Sequence, residues 1–180
     1  MSEGELLQIE KARRLDITEE VYFDIIRRKT ASLLAACCAC GAASAGADDD
    51  TVQKMWGLGE RVGLAFQIQD DLLDLGEGDR TGKPTGQDIR ERKMTLPLIH
   101  TLAKATPSER RRLIQLVKHK CEDHAAVKEV MDAILAGPGM ERARSEMRRL
   151  KEESLALLND LGDKYAVSTE ARAALRDLIE

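Results

Sequence analysis

The stretch Phe66-Gln67-Ile68-Gln69-Asp70-Asp71-Leu72-Leu73-Asp74 closes a longer segment, residues 51–75. Its apolar side chains are Val52, Met55, Trp56, Leu58, Val62, Ala65, Phe66, Ile68, Leu72 and Leu73. These positions surround a helix instead of forming one stripe, which predicts a long helix at the centre of a bundle. Gly57, Gly59 and Gly63 fall inside it, each costing around 1 kcal/mol relative to Ala. Close approach of a neighbouring helix or of a ligand chain is the expected compensation. A helix buried on all sides needs other helices around it, so an all-α fold is expected.

Composition agrees. Of 180 residues, 43% are hydrophobic but only 3% aromatic, and there are four prolines, which favours packed helices over strands. One domain spanning residues 1–180 is expected. The formal charge of -4 provides no basic field for nucleic acid, so any anion site must be local. The apolar run 31–47 is too short and too weakly hydrophobic for stable membrane insertion. Met1-Ser2-Glu3-Gly4-Glu5 is not the start of a secretory signal, and a cytoplasmic location is the default expectation. Cys37, Cys38, Cys40 and Cys121 lack the second ligand pair of a structural zinc site and are read as small, buried, reduced packing residues.

Start and stop signals divide the rest. A first helix is expected over 3–14, and a second runs from an N-cap at Thr18 to about residue 40. Gly41 and Gly46 bracket a joint before Asp48, Asp49 and Asp50, which start the central helix. Residues 76–87, Gly-Glu-Gly-Asp-Arg-Thr-Gly-Lys-Pro-Thr-Gly-Gln, read as a loop. A helix from about Asp88 should be kinked or broken by Pro97 in its second half. Thr106-Pro107-Ser108-Glu109 is a strong start signal for a helix to about His119. Further helices are expected over 123–135, 140–161 and from Ser168 or Thr169 to Leu178. The Glu- and Arg-rich faces of the last helices read as solvated surface. His100, His119 and His124 are read as structural or exposed, and Trp56 and the methionines as core.

On a helix, Asp70, Asp71 and Asp74 can converge over one turn. Two like charges about 4 Å apart repel by roughly 4 kcal/mol at an effective dielectric of 20, and the negative helix terminus adds to the cost. A divalent cation reverses both penalties, and one or two carboxylates plus phosphate oxygens describe a magnesium site. Arg80, Lys83, Arg90, Arg92 and Lys93 follow immediately. Cations beside a metal-binding acid cluster suit a polyanion such as diphosphate.

These residues carry a resemblance. Residues 66–74, followed by Thr81-Gly82-Lys83-Pro84, Gly86-Gln87-Asp88 and Lys93-Met94-Thr95-Leu96-Pro97, resemble the second aspartate-rich motif of the trans-isoprenyl diphosphate synthases, or polyprenyl synthetases. Gly4-Glu5-Leu6-Leu7-Gln8 resembles that family's G-E-x-x-Q helix. Tyr22-x-x-Ile25-Ile26-x-x-Lys29-Thr30-Ala31 resembles its lysine-threonine motif.

The resemblance implies a helical bundle of the isoprenoid synthase type, truncated at its N-terminus. It implies a prenyltransferase that condenses an allylic prenyl diphosphate with isopentenyl diphosphate, with Mg2+ as cofactor. Asp70 would bind the metal directly, Asp71 and Asp74 directly or through water. Lys29, Lys83 and Lys93 would hold the allylic diphosphate, Thr30 and Gln69 would face the first prenyl unit and stabilise its developing cation, and Phe66 would lie near isopentenyl diphosphate. Gln8 is a candidate wall of the cavity. The first aspartate-rich motif is absent from this sequence, and Asp48-Asp49-Asp50 stands on the wrong side of the lysine-threonine motif to replace it. The chain as given is therefore expected to be inactive alone, acting as a homodimer or completed by a missing N-terminal half. A non-catalytic or regulatory subunit and a purely structural helical module are the alternatives.

Overall fold

The computed structural model describes residues 2–12, 17–77, 85–164 and 168–180, and all regular structure among them is helical. The elements are α1 (Ser2–Ala12), α2 (Glu19–Ile26), α3 (Ser32–Ser44), α4 (Asp49–Leu72), α5 (Gln87–Arg90), α6 (Leu96–Lys104), α7 (Pro107–His119), α8 (His124–Ala136), α9 (Gly139–Lys164) and α10 (Thr169–Ile179). One π-helical turn, Arg27–Ala31, joins α2 to α3, and another, Leu73–Glu77, ends α4.

The caps follow the side chains. The Thr18 hydroxyl accepts from Val21 N, and the Asp48 carboxylate accepts from Thr51 N at 2.9 Å. Thr106 and Glu109 complete a reciprocal capping box before α7, and Asp123 caps α8. Each satisfies a backbone donor at a helix start.

Helix α4 is the central one, packing on α3, α9 and α6. Ile68 and Leu72 are fully enclosed, together with Leu58, Leu96, Leu98, Val130 and Ile134. Gly59 and Gly63 let α3 come close: a Cβ on Gly59 would meet the Leu34 carbonyl oxygen at 2.5 Å, and one on Gly63 the Ala31 Cα at 2.5 Å. The neighbouring-helix explanation therefore holds at these two positions. It does not hold at Gly57, where only the Arg61 guanidinium would be met.

Several expectations change. The second helix passes Gly41 and ends at Ser44, and it is divided by the π turn at residues 27–31. The helix expected from Asp88 is instead two: α5 stops after Arg90, Arg92 takes a positive φ of 58°, and Pro97 sits in the first turn of α6, where a missing N–H costs nothing. Cys37 and Cys40 are exposed and Cys38 half-buried, so only Cys121 is buried as expected. They occupy the outer side of α3, whose inner side is taken by Ala31, Ala35 and Ala39. Trp56 is likewise partly exposed and not core.

The charged face of α9 is only partly solvated. Glu146 is buried and pairs with Arg142 and Arg149. Arg142 also reaches Glu19 on α2 at 2.7 Å, and Arg61 on α4 reaches Glu153 at 3.0 Å. His100 Nε2 lies 3.1 Å from Glu19 Oε2 in the same network.

Candidate active site

The π turn at Arg27–Ala31 is the local event that builds the site. Ser32 N donates to Arg27 O, five residues back, so one extra residue is accommodated within the helix. Lys29 and Thr30 thereby face different compartments: Lys29 lines a polar cavity of about 260 Å³, Thr30 a larger apolar one of about 430 Å³.

Helix α1 is held on this turn by Gly4. A Cβ there would fall 2.6 Å from Lys29 N, so only glycine allows the backbones to touch at this point. One helical turn later Gln8 is in register with the lysine, and Lys29 Nζ donates to Gln8 Oε1 at 3.1 Å. Gln8 is thus a wall of the polar cavity, with Lys29, Gln67, Asp70, Asp71 and Lys93.

The three acids of the α4 terminus play separate parts. Asp70 is exposed at the cavity, and among the described residues it accepts no hydrogen bond and forms no ion pair. Asp71 is buried at 5% exposure, and Tyr22 donates its hydroxyl to Asp71 Oδ2 at 2.8 Å. Burial, with the charge of Asp88 next, pushes the Asp71 carboxyl up to about 7, against the lowering effect of hydrogen bonds from Tyr22 and Gln67. Burial and then Asp71 itself hold the Tyr22 hydroxyl well above its ordinary value.

Asp74 is held by backbone donors. Its Oδ1 accepts from Gln87 N at 2.9 Å, its Oδ2 accepts from Asp88 N at 3.0 Å, and its carbonyl accepts from Gly86 N at 2.8 Å. It closes the connection between α4 and α5. Among the described residues no three Asp, Glu, His or Cys side chains gather as metal ligands. The three carboxylates expected to converge are thus engaged differently: Tyr22 holds Asp71, backbone donors hold Asp74, and Asp70 faces the cavity.

Lys93 faces the cavity from the far side, donating to Asp88 Oδ1 at 2.9 Å and pairing with Glu91 at 2.7 Å. Burial works against its charge, but Glu91 and Asp88 outweigh this and hold the ammonium above its ordinary range. Asp88 is raised by burial and by Asp74 and Asp70, against the lowering effect of Lys93. Lys83, the remaining lysine expected here, lies outside the described residues.

The apolar cavity adjoins across α4. Thr30, Phe66 and Gln69 line it, with Met147 and Ser154 of α9 and Leu178 of α10 on the other wall. Phe66 is 63% exposed. The link between compartments is Gln67, which the sequence reading passed over: Thr30 Oγ1 donates to Gln67 Oε1 at 3.0 Å, and Gln67 lines the polar cavity together with Asp71. Residues 67, 70, 71 and 74 follow the i, i+3, i+4, i+7 face of a helix, a signal that could have found it.

Residues 1–134 match the family described as polyprenyl synthetase. The nonaprenyl diphosphate synthase of Mycobacterium tuberculosis is 36% identical over 83% of this chain and 45% of its own length. The geranylgeranyl diphosphate synthase of Saccharolobus solfataricus is also 36% identical, over 92% of this chain and 46% of its own. The crystal structure of a polyprenyl synthase from Caulobacter crescentus, complexed with calcium and isoprenyl diphosphate, superposes with a TM-score of 0.86 at 31% identity. It covers 99% of this chain and 53% of that one. The chain therefore spans about half the length of the relatives it matches, and its helical fold is theirs. By sequence match and by structure, this chain belongs to the polyprenyl synthetase family.

Proposed function

We propose that this chain carries the diphosphate-binding half of a prenyltransferase that joins an allylic prenyl diphosphate to isopentenyl diphosphate. One observation carries the reading: Gln8, Lys29, Asp70 and Lys93 converge on a polar cavity whose wall is shared with an apolar one.

Lys29 and Lys93 would grip the diphosphate of the allylic substrate as fixed charges, exchanging the Gln8 and Asp88 contacts they now make for phosphate oxygens. Lys83, which lies outside the described residues, would be the third cation of this set. Asp70 suits a magnesium ion, because such an ion takes one or two carboxylates and completes its shell with water and substrate phosphate. Asp71 and Asp74, already engaged by Tyr22 and by backbone donors, would act through water or by position. Magnesium, when bound, supplies positive charge against the departing diphosphate.

The hydrocarbon would enter the apolar cavity, with Thr30 and Gln69 beside its first unit and Phe66 near isopentenyl diphosphate. The allylic C–O bond breaks with its electron pair leaving on diphosphate, and the double bond of isopentenyl diphosphate supplies the pair for the new C–C bond. The proton then released goes to the departing diphosphate. The chain spans about half the length of these relatives, and the homodimer expected from the sequence is proposed as its assembly. The setting proposed is the cytoplasm, and no helix among the described residues is long and apolar enough to cross a membrane.

Calorimetry with a prenyl diphosphate, with and without magnesium, tests the reading. Magnesium-dependent binding that Asp70→Ala abolishes supports it. Binding indifferent to both metal and substitution would remove the site, and condensation after adding the remaining half separates an enzyme from a non-catalytic subunit.

A further inference from the structure

On α4 and α9 every arginine has a carboxylate partner: Arg61 has Glu153, Arg142 has Glu19, Arg144 and Arg148 share Glu141, and Arg149 has Glu146. Helix α7 and the residue after it are built differently. Residues 107–120 hold Arg110, Arg111, Arg112, Lys118 and Lys120 against the one carboxylate of Glu109, in a chain whose formal charge is -4. All five cations are exposed. Arg112 pairs with Glu129 on α8, whereas Arg110, Arg111 and Lys118 make no side-chain hydrogen bond or ion pair among the described residues.

The needs of the helix do not account for these charges. Arg111, Gln115 and Lys118 follow i, i+4, i+7 spacing on the side opposite buried Leu113 and Val117, so they contribute nothing to the core. Arg110 and Arg111 also stand near the start of the helix, where the macrodipole favours acids over cations.

We propose that the outer face of α7 is a docking surface for an anionic lipid bilayer, which the chain meets from one side without crossing it.

Charge complementarity carries the proposal. Anionic headgroups create a negative surface potential that attracts clusters of Lys and Arg on an amphipathic helix and decays within a Debye length. The remainder of the chain is correspondingly acidic, so the same field repels it and turns α7 toward the lipid. Guanidinium groups suit the phosphate of a headgroup, which they can meet with two parallel N–H groups. Helix α8 adds an apolar contact. The Arg112–Glu129 pair, and the cavity that Glu109 lines together with Ala133, show α7 and α8 to be antiparallel. Leu135, 51% exposed near the end of α8, therefore lies at the Arg110 end of this hairpin. An apolar side chain beside cations is the pattern that enters the headgroup boundary. Residues 107–120 contain no aromatic side chain on which bases of a nucleic acid would stack. The choice of a lipid over an acidic protein rests on the prenyl-transfer reading, whose product is a hydrocarbon diphosphate that favours a bilayer more with each added CH2 group.

Co-sedimentation of the full chain with vesicles tests the surface without substrate, metal or turnover. Vesicles of equal phosphatidylglycerol and phosphatidylcholine are expected to carry the chain down in about 0.1 M salt, and to release it in about 1 M salt, where the Debye length is about 3 Å. Vesicles of phosphatidylcholine alone should leave it in solution. The triple variant Arg110→Gln, Arg111→Gln, Lys118→Gln should bind about a hundredfold more weakly, at roughly fivefold per cation. Its melting temperature should match the wild type, because these side chains have no partner to lose, and that keeps lost binding apart from lost structure. Equal charge removed from other helices, by Lys54→Gln, Arg144→Gln and Arg148→Gln, should change binding by less than about threefold, since charges beyond a Debye length are screened.

Equal weakening in the two triple variants would reduce the effect to net charge and overturn the proposal. So would equal binding to both kinds of vesicle. A chain that ignores anionic vesicles yet binds polyglutamate or a labelled oligonucleotide would assign the face to another class of macromolecule, and the proposal fails. Vesicle binding in a chain that binds no prenyl diphosphate would instead remove the enzymatic reading and leave the lipid-facing surface in place.

Discussion

Asp71 is the residue whose environment departs furthest from what its letter implies. Its carboxyl titrates near 3.8 when solvated and is raised to about 7 in the folded chain, first by burial and then by Asp88. Between these values the folded state holds a proton that the unfolded state has released, so stability falls as pH rises through that window. At about 1.4 kcal/mol per unit, the full effect is on the order of 4 kcal/mol. Asp71→Asn keeps an acceptor for Tyr22 and removes the ionisation, so it should raise the melting temperature at pH 8 and flatten the profile between pH 4 and 7. Thermal scans across that range, without divalent ions, check it; a variant with the wild-type slope would move the titration to another group.

The same residue marks the limit of reading acids from spacing. Positions 70, 71 and 74 correctly place three carboxylates near one end of the central helix, and Lys29, Lys93 and Gln8 prove to share a cavity with two of them. Spacing does not reveal that Tyr22 arrives from α2 to bury Asp71, or that α5 turns its N–H groups to Asp74. Both partners come from other elements, and long-range placement is what a local pattern omits.

At the scale of elements, the glycines of α4 separate two situations that look identical in sequence. A Cβ on Gly59 would meet backbone atoms of Leu34 and Ala35 at 2.5 and 2.8 Å, while one on Gly57 would meet only the end of the Arg61 side chain at 2.9 Å. Gly59→Ala should therefore force α3 outward and cost about 1–3 kcal/mol. Gly57→Ala should be neutral or stabilise by up to about 1 kcal/mol, through helix propensity. Urea midpoints of the two variants should move in opposite directions or differ by that sum, and equal losses would contradict the packing described. Helix starts were legible because Thr18, Asp48, Thr106 and Asp123 cap their own helices within three residues. The π turn at Arg27–Ala31 was not, since nothing in Arg-Arg-Lys-Thr-Ala distinguishes it from ordinary helix. It packs against α1 and α4, which lie far from it in sequence or carry no local signal for it.

Across the whole molecule, large apolar side chains reach solvent on α1, α3 and α4. Leu6 is 68% exposed, Ile9 57% and Leu33 50%, and Phe66 and Trp56 add to them. Scattered exposed leucines are ordinary, but several on the helices that form the site amount to a surface suited to association. Fully burying one such side chain is worth about 1.5–3 kcal/mol, so covering Leu6, Ile9 and Leu33 together would offset much of the entropy lost on pairing. Sedimentation velocity is expected to show concentration-dependent self-association of the chain. Leu6→Glu combined with Leu33→Glu should return it to a monomer whose melting temperature no longer rises with concentration, the signature of stability linked to assembly. Both positions are exposed on the single chain, so they lose little within it, and a monomer already present in the wild type at high concentration would exclude this face as a contact between copies.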